Sequence, residues 1–364
     1  MMQVFLVGGA VRDKYLGLKV TEQDWVVIGA SPAEMTALGY KPVGKDFPVF
    51  LHPKTKEEYA LARTEKKSGH GYQGFTFNSD PGVSLKDDLL RRDLTINAMA
   101  EDSSGKLFDP YSGMQDLENK ILRHVSDAFA EDPVRLLRLA RFASRFHDFK
   151  VHPDTQSLMD KLVSSGEIKY LTPERVWQEL TKAFSASATW RFFEVLDESG
   201  ANEVLWPKLL SKNSTKILKD TAAFKYDIKI RFSALCFALD IDTVKEFIRI
   251  YKVQKSVADM VLLVVKYGRQ YLELKDNAEQ VLDLLNKLDV WRRPERLTDF
   301  CNACGPSGKN SNICADMLIG SYHATENLST SDLPNIKELK GADIAVALKA
   351  SRLLTLGKYL ASRR

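Results

Sequence analysis

Cysteine, histidine and long apolar runs are scarce in this sequence. Its 364 residues include four cysteines and six histidines. Four cysteines in so long a chain are too few for the disulfide framework of a small secreted domain. No stretch approaches the roughly 18 consecutive apolar residues of a membrane-spanning helix. The sequence also opens without the basic and apolar segments of a secretory signal. We therefore expect a cytoplasmic protein with no membrane anchor.

Charge of one sign is not in large excess either. The formal net charge is +4, and 44% of the residues are hydrophobic against 27% charged. This is ordinary globular composition, and the chain is long enough for two or three packed units. A mildly basic balance is compatible with a nucleic-acid partner but does not require one.

Strand patterns are confined to the first part of the chain. "QVFLVGG" and "DWVVIGA" are short runs rich in β-branched residues, and "EEYALAR" alternates like a half-buried strand. "SPAEMTALGY" predicts a helix with Ser31 as N-cap and Pro32 at its first position. From about residue 115 the periodicity is helical almost without interruption. The pattern predicts an α+β first part, with a small mixed β-sheet and helices, followed by an all-α remainder.

A Gly-Gly pair follows the first predicted strand in "LVGGAVRD", where Gly8 and Gly9 form a strand-to-helix turn. Without Cβ atoms the backbone there can approach a triphosphate closely, and the start of a helix adds N–H donors. Arg12 lies one turn further on and can pair with phosphate oxygens. Taken alone, the pattern is more typical of an ordinary turn.

Two carboxylates, Glu22 and Asp24, are two residues apart in the next predicted strand, so both side chains leave the same face. Carboxylates placed in this way can bridge a pair of Mg²⁺ ions that hold substrate phosphates. Glu58 begins a later strand and is a possible third carboxylate, with Glu57 as its adjacent alternative. An exposed polar strand edge would explain an isolated pair, but its position about ten residues after "GGAVRD" favours metal binding.

The segment "RRDLTINAM" places three polar side chains around a predicted helix start. Asn97 lies four residues after Asp93, so both face the same way. Arg92 can clamp a phosphate in bidentate fashion, and Asn97 can reach a ribose hydroxyl. The alternative is a capped surface helix with Asp93 at its N-terminus.

In "EDPVRLLRLAR" one acid and three arginines recur every third residue, which predicts one polar stripe along a helix: Asp132, Arg135, Arg138 and Arg141. The Watson–Crick edges of C and A both present an amino donor beside a ring-nitrogen acceptor. Asp132 can accept from the amino group while Arg135 donates to the ring nitrogen. G and U present the reverse order and would leave buried partners unpaired, at about 1–3 kcal/mol each. The stripe therefore predicts CTP and ATP as substrates.

Five motifs together resemble a known family: "GGAVRD" with its carboxylate pair, "ARTEKKSGHGYQGF", "RRDLTINAM", "FDPYSGMQDL" and "EDPVRLLRLARF". In this order they resemble the bacterial class II tRNA nucleotidyltransferases, the CCA-adding enzymes. The likeness covers roughly the first 180 residues, and "LTPERVW" extends it. It implies template-independent addition of C, C and A to the 3′ end of tRNA, with CTP and ATP as substrates and Mg²⁺ as cofactor. Basic helical surfaces would bind tRNA, with Arg292, Arg293 and Arg296 among the candidates.

The resemblance also implies an architecture and a set of site residues. It implies a polymerase-β-like head at 1–140, a neck at 141–206 whose template helix begins near 131, a body at 207–290 and a tail at 291–364. The implied metal ligands are Glu22 and Asp24, and the implied base-reading pair is Asp132 and Arg135. The implied phosphate contacts are Gly9, Arg12, Arg92, Arg138 and Arg141. Asp93 and Asn97, from the "RRDLTINAM" segment, complete the predicted nucleotide-binding residues. The segment 63–75, which begins at Arg63, corresponds to the flexible loop required for the final A.

Two departures from the family pattern matter. Glu22 stands where the family has Asp; the charge is kept, but the extra methylene displaces the carboxylate by about 1 Å, a displacement that catalysis tolerates poorly. We expect reduced or retained activity. The six histidines are His52, His70, His124, His147, His152 and His323. None lies between 153 and 322, and Phe237 and Ala238 stand where a histidine–aspartate dyad is expected, so we predict no phosphohydrolase activity.

Three alternatives stay open on the sequence. A poly(A) polymerase shares this kind of head but usually has a basic N-terminal extension, whereas the first strand here begins at residue 3. A tRNA-binding protein with catalysis weakened by Glu22 is the second, against which the complete base-reading pair and arginine stripe argue. The third concerns Cys301, Cys304 and Cys314 with His323, which form either a structural zinc site or, as their irregular spacing favours, incidental buried thiols.

Overall fold

The computed structural model describes residues 2–43, 48–67, 75–223, 227–308, 311–333 and 339–363. The chain divides into two compact units, Met1–Pro207 and Lys208–Arg364. A mixed β-sheet with helices occupies the start of the first unit, and the remainder is helical, so the predicted α+β start and all-α continuation are confirmed. The finer division at residues 140, 206 and 290 stays a prediction.

The first unit contains a seven-stranded sheet in the order β3-β4-β5-β2-β1-β8-β9, in which β2 and β5 run parallel and the other neighbours antiparallel. Its strands are β1 (Gln3–Val7), β2 (Asp24–Ile28), β3 (Lys41–Pro42), β4 (Val49–Leu51), β5 (Glu58–Leu61), β8 (Ala100–Glu101) and β9 (Leu107–Phe108). Separate two-stranded pairs are formed by β6 (Thr64–Lys67) with β7 (Phe75–Asn78) and by β10 (Ile121–Leu122) with β11 (Lys150–Val151).

Nine helices of the first unit are described: α1 (Gly9–Tyr15), α2 (Pro32–Ala37), α3 (Leu85–Leu90), α4 (Gly113–Glu118), α5 (Val134–Arg145), α6 (Pro153–Ser164), α7 (Pro173–Phe184), α8 (Thr189–Glu198) and α9 (Ala201–Leu205). The predicted start of α2 is confirmed. The Ser31 hydroxyl accepts the Glu34 N–H at 3.3 Å, and the Glu34 carboxylate accepts the Ser31 N–H at 2.7 Å. This reciprocal pair is a capping box, which satisfies two donors at the helix start.

Alternation along the central strands gives the sheet two buried faces. Val26 packs on one side with Phe5, whereas the next residue, Val27, packs on the other side with Met35 and Phe50. Successive side chains of a strand leave opposite faces, so a run of apolar residues indicates a strand covered on both sides. The antiparallel register pairs Val7 with Asp24. It therefore places the turn that follows β1 beside the carboxylate that begins β2.

Helix α5 packs against α7 and α8. Leu136, Leu137, Leu139 and Ala140 are fully buried, and this apolar side fixes the rotation of α5 about its axis. The arginines between them are consequently directed to the other side of the helix. Burial of the leucines, at about 25 cal/mol per Å² of apolar surface, stabilises the arrangement that presents those arginines.

The second unit is helical throughout its described residues: α10 (Ser214–Ala223), α11 (Ile228–Cys236), α12 (Ile241–Tyr251), α13 (Lys255–Leu272), α14 (Ala278–Lys287), α15 (Glu295–Cys304), α16 (Ser311–Thr325) and α17 (Ala342–Ser362). Tyr271 and Phe300 lie fully buried in its core. Among the described helices of both units, none is long and apolar enough to cross a membrane.

The cysteines of the second unit are buried in this core. Burial raises the pKa of the Cys301 thiol to about 12, so the protonated form is favoured. Within the described ranges no three His, Cys, Asp or Glu side chains are grouped so that they would hold a metal ion. The interpretation of these cysteines as incidental buried thiols stays a prediction.

The three basic residues suggested for RNA contact engage in ion pairs within the second unit. Arg293 and Arg296 lie 3.7 and 3.4 Å from the Asp259 carboxylate, and Arg292 lies 3.3 Å from Asp289. Their positive charge is thus partly balanced by neighbouring acids. A contact with tRNA through these residues stays a prediction.

Candidate active site

A cleft of about 650 Å³ in the first unit gathers the predicted site residues. Its charged lining is strongly basic, with four carboxylates against ten cationic side chains: Arg12, Arg63, Arg91, Arg92, Arg135, Arg138, Arg141, Arg145, Arg175 and Lys182. All the predicted site residues line it except Glu58. A concave surface with this excess of positive charge suits a polyanionic ligand.

The turn after β1 lies at one wall of the cleft. Gly8 has φ of +69° and ψ of −127°, a conformation that side-chain-bearing residues rarely adopt. A Cβ atom on Gly8 would lie 2.8 Å from Nη1 of Arg92. The backbone conformation therefore favours glycine at this position, and the turn lies close to the guanidinium end of the flexible Arg92 side chain.

The carboxylate pair lies beside this turn, but not in the predicted secondary structure. The expectation that both residues lie on a strand is wrong for Glu22, because β2 begins at Asp24 and residues 18–23 form no regular element. Pairing ends there since β1 gives way to the turn after Val7. Glu22 and Asp24 nevertheless line the same cleft. Desolvation raises the pKa of Asp24, the charge of Arg92 lowers it, and Glu22 raises it further.

Glu58 lies directly opposite Asp24 in the register of the parallel strands β2 and β5. Its neighbour Glu57 precedes the strand and accepts a hydrogen bond of 2.8 Å from the Thr55 hydroxyl. Glu58 is thus the residue aligned with Asp24, although both Glu57 and Glu58 line a depression of about 530 Å³ that also includes Glu22 and Asp24. The described part of the chain contains no group of three such ligands arranged to hold a metal. A role for Glu58 as third ligand stays a prediction.

A chain of hydrogen bonds joins α1 to α5 across the cleft wall. Arg12 donates to Asp13 at 2.8 and 2.9 Å and also donates to the Asn97 side-chain oxygen. The Asn97 amide donates to Asp93 at 2.9 Å, and Arg138 Nε donates to the same carboxylate at 2.8 Å. Burial alone would raise the pKa of Asp93, but Arg138 and Asn97 hold it well below its usual range.

The alternative of a capped surface helix around Asp93 is wrong. Asp93 and Asn97 are both 6% exposed, and only a single 3-10 turn, Thr95–Asn97, forms between them. The four-residue spacing still brings the two side chains together through this turn. They belong to the wall of the cleft.

The "FDPYSGMQDL" motif supports that turn from behind. Asp109 accepts the N–H groups of Gly113 and Met114 at 2.7 and 2.9 Å, which fixes the start of α4. The Thr95 hydroxyl donates to Asp116 at 2.7 Å. A Cβ atom on Gly113 would lie 2.2 Å from the Thr95 carbonyl oxygen. The motif therefore positions the turn that carries Asn97.

The predicted polar stripe is correct for the arginines and wrong for its acid. Asp132 has extended backbone and lies before α5, which begins at Val134. The residue before a proline is disfavoured in helical conformation, and Pro133 follows Asp132. Arg138 and Arg141 do lie on the helix and line the cleft.

Carboxylates from different elements hold the arginines of α5. The shortest distances are 2.7 Å for Arg138–Asp93, 2.6 Å for Arg141–Glu179 and 2.8 Å for Arg145–Asp13. These pairs connect α5 with the turn before Thr95, with α7 and with α1. Charge-assisted hydrogen bonds of this kind fix the side chains in position before any ligand is bound.

The two predicted base-reading residues are held separately. Asp132 accepts two hydrogen bonds from Arg175, at 3.0 and 2.7 Å, whereas Arg135 donates to the Ala128 carbonyl at 2.9 Å. Arg175 was missed by the sequence analysis, although it lies in "LTPERVW". Lys182 lies seven residues further along α7, two helical turns, and lines the same cleft. This seven-residue spacing of two basic residues was the feature of the sequence that could have indicated Arg175 and Lys182.

Asp88 connects the base of the predicted flexible loop to the cleft. Its fully buried carboxylate lies 2.8 Å from Arg91 and 3.2 Å from Arg92, and it accepts the Arg63 N–H at 3.3 Å. Arg63 itself lines the cleft. Residues 68–74 of the predicted loop lie outside the described residues, so the loop assignment stays a prediction.

Two family models and several known proteins match this chain in sequence. A family model described as "Poly A polymerase head domain" matches residues 4–123, and one described as "Probable RNA and SrmB- binding site of polymerase A" matches residues 148–212. A Coxiella burnetii protein named CCA-adding enzyme is 48% identical over 354 residues, which cover 97% of this chain and 94% of the relative. A Pseudomonas putida protein named Multifunctional CCA protein is 45% identical over 368 residues, with 98% and 99% covered.

Solved structures show the same fold. A CCA-adding enzyme in an apo form aligns with a TM-score of 0.76 at 23% identity, over 98% of this chain and 88% of that one. A Thermotoga maritima CCA-adding enzyme complexed with tRNA aligns with a TM-score of 0.70 at 22% identity, over 100% and 92%. The similarity thus extends over the helical part as well as the sheet.

Proposed function

The chain belongs to the family of CCA-adding enzymes, which are tRNA nucleotidyltransferases, and we propose how its cleft carries out their reaction. C, C and A are added to the 3′ end of tRNA from CTP and ATP, without a nucleic-acid template. In each step the 3′-hydroxyl oxygen bonds to the α-phosphorus and pyrophosphate leaves. The observation that carries the proposal is one cleft containing the turn at Gly8, the Glu22–Asp24 pair and the base-reading pair.

Family membership implies a divalent metal, and we assign it to Glu22 and Asp24 as Mg²⁺. The donor set fits, because two carboxylates face a cleft whose desolvation already raises the pKa of Asp24, and Mg²⁺ prefers carboxylate oxygens together with substrate phosphates. A divalent ion bound there would lower the pKa of the attacking hydroxyl and neutralise charge on the leaving pyrophosphate.

The basic wall of the cleft binds the triphosphate. We assign phosphate contacts to Gly9, Arg92, Arg138 and Arg141, which lie on the turn and on both sides of the cleft. Arg12 is bonded to Asp13 and Asn97, and it lies 5.1 Å from the ring of Phe142. We therefore propose that Arg12 acts on the nucleotide chiefly by holding Asn97 toward the ribose.

The choice of base rests on Asp132 and Arg135. An ionised carboxylate only accepts hydrogen bonds and a guanidinium only donates them. Together they match the amino group and ring nitrogen of cytosine and adenine, and they leave guanine and uracil with unpaired partners. A protein that reads bases in this way needs no template strand.

The poly(A) polymerase alternative is not favoured, because the relatives that match nearly the full length are CCA-adding enzymes. The predicted lack of phosphohydrolase activity and the cytoplasmic location stay predictions. Whether Glu22 weakens catalysis is a question for the extension assay.

The test is an extension assay at one-nucleotide resolution, with a tRNA transcript lacking its 3′ CCA, Mg²⁺, CTP and ATP. We expect three nucleotides to be added, with no further extension. A two-nucleotide product would indicate a CC-adding specialist, and a long ladder with ATP alone would indicate a poly(A) polymerase. If tRNA binds in a filter assay but no nucleotide is added, the chain is a binding protein with lapsed catalysis.

A further inference from the structure

We propose that Arg175 is a positioning residue that fixes the carboxylate of Asp132 and so contributes to the choice between nucleotides. The inference rests on the proposed base-reading role of Asp132. Arg175 lies on α7, outside the stripe on α5. It acts on the base through Asp132 and needs no contact with the base itself.

The contact between the two residues is bidentate. Nη1 of Arg175 donates to Oδ1 of Asp132 at 3.0 Å, and Nη2 donates to Oδ2 at 2.7 Å. Two parallel hydrogen bonds from a planar guanidinium define the plane of the carboxylate as well as its position. The side chain of Asp132 is 14% exposed and that of Arg175 is 25% exposed, so water competes weakly for either group.

The Asp132 carboxylate has an acceptor position left for a nucleobase while it is bonded to Arg175. A carboxylate has about four lone-pair positions. Oδ1 accepts from Arg175 and from the Val134 N–H at 3.2 Å, and Oδ2 accepts from Arg175. Among the described contacts of Asp132, this leaves one acceptor position, on Oδ2. We assign that position to the exocyclic amino group of cytosine or adenine.

A single defined acceptor discriminates better than a freely rotating carboxylate. If Asp132 turned about its terminal torsion, Oδ1 or an intervening water could meet the carbonyl of uracil or guanine. Asp132 precedes α5, and the local restraint described for its carboxylate is the 3.2 Å hydrogen bond from the Val134 N–H to Oδ1. The fork of Arg175 supplies the restraint from α7. A lysine in its place would keep the charge but lose the second hydrogen bond, since an ammonium group does not define a plane.

The other base-reading residue has a separate anchor, which makes the inference testable. Arg135 is bonded to the Ala128 carbonyl, in the 3-10 turn Asp127–Glu131. Changing Arg175 therefore leaves that contact of Arg135 in place. We therefore expect the effect of Arg175 on base choice to pass through Asp132, with which it forms its bidentate contact.

The experiment compares single-nucleotide incorporation of CTP and UTP by Arg175→Lys, Asp132→Ala and the double variant, with tRNA lacking CCA. For Arg175→Lys we expect the ratio of kcat/KM for CTP over UTP to fall about tenfold or more, which is the scale of one lost hydrogen bond. In the Asp132→Ala background the same change is expected to leave the ratio unaltered. Such non-additivity indicates that one residue acts through the other.

Arg191→Lys is the matched control. Arg191 forms an ion pair of 2.9 Å with Glu194 on α8 and does not line the cleft, so the same substitution should leave the ratio at the wild-type value. Thermal unfolding of each variant establishes that it is folded. Arg175→Gln provides the second variant and is expected to lower the ratio at least as far as Arg175→Lys.

The possible outcomes separate the two levels of the proposal. If Asp132→Ala lowers the CTP-over-UTP ratio while folded Arg175→Lys and Arg175→Gln keep it, the positioning role is wrong and the base-reading role stands. If Asp132→Ala itself keeps the ratio, the proposed base-reading pair fails and the inference fails with it. An equal loss in Arg191→Lys would show a general effect of helix packing and would also overturn the inference.

Discussion

Arg138 donates to the Asp93 carboxylate at 2.8 Å, so a residue of helix α5 is bonded to a buried acid that precedes the Thr95–Asn97 turn. Asp93 is 6% exposed and also accepts from the Asn97 amide at 2.9 Å. One carboxylate therefore orients two predicted nucleotide contacts at the same time. It also joins the sheet-containing part of the first unit to the helix that carries the arginines.

Asp93→Asn should lower the free energy of unfolding by about 1–3 kcal/mol, because Arg138 then loses the carboxylate to which it is bonded. This loss is smaller than for a fully buried ion pair, since the Arg138 side chain is 38% exposed and solvent screens its charge. Because the folded-state pKa of Asp93 is lowered, its contribution is complete above the unfolded-state pKa of about 4 and is lost as pH falls through the lower, folded-state value. Urea unfolding at several pH values measures this. The difference between wild type and variant should be constant near neutral pH and should shrink below pH about 4.

Changes in the carboxylate pair should affect turnover far more than folding. Asp24→Asn is expected to lower kcat by about 10³-fold or more, because an amide binds Mg²⁺ poorly and carries no charge. Glu22→Asp is expected to retain or increase kcat, whereas Glu22→Gln should lose most of it. Single-turnover extension with tRNA ending in CC and with ATP measures the step. Equal activity of Glu22→Gln and wild type would exclude Glu22 as a metal ligand.

Glu58 and Glu57 form a matched pair for testing a third carboxylate. Glu58 is in register with Asp24, whereas Glu57 is bonded to the Thr55 hydroxyl. If Glu58 contributes to metal binding, Glu58→Gln should lower kcat by about 10–100-fold, and Glu57→Gln should not. A titration of activity with Mg²⁺ should show a higher half-saturating concentration for Glu58→Gln only. Identical titrations for the two variants would remove Glu58 from the site.

Gly113→Ala tests the support behind Asn97. The new Cβ would lie 2.2 Å from the Thr95 carbonyl oxygen, so the backbone must move, and we expect a loss of about 2–3 kcal/mol in the free energy of unfolding together with weaker nucleotide binding. Gly357→Ala is the control, because the position lies inside α17 and, apart from its chain neighbours and the backbone of its own helix, no atom of the described residues lies within 4 Å of the new methyl group. It should stabilise by about 0.5–1 kcal/mol. Denaturant unfolding measures the stability of the two variants, and equilibrium CTP binding measures their affinity for the nucleotide.

Much of the site could be predicted from the sequence because its chemistry is local. The glycines of the turn, the carboxylate pair and the arginines at three-residue spacing each lie within one short segment. Glycine at a positive φ, or cationic side chains along one side of a helix, follow from backbone geometry alone. These residues do line one cleft. The secondary structure was less predictable at the ends of elements. Strand pairing stops at Asp24, so Glu22 lies outside β2, and Pro133 keeps Asp132 out of α5.

The sequence by itself determined the α+β start and the helical continuation, since these depend on periodicity and residue type. It also predicted the groups that we propose meet the nucleotide, and those residues line one cleft. Tertiary structure alone decided which acidic side chain pairs with which arginine. Asp13 with Arg145 and Asp132 with Arg175 are separated by 132 and 43 residues in the chain, and no local spacing specifies such pairs. They are set by the packing of α5 against α7 and by the placement of α1 beside it, because long-range hydrogen bonds form only between side chains that the core has already brought together.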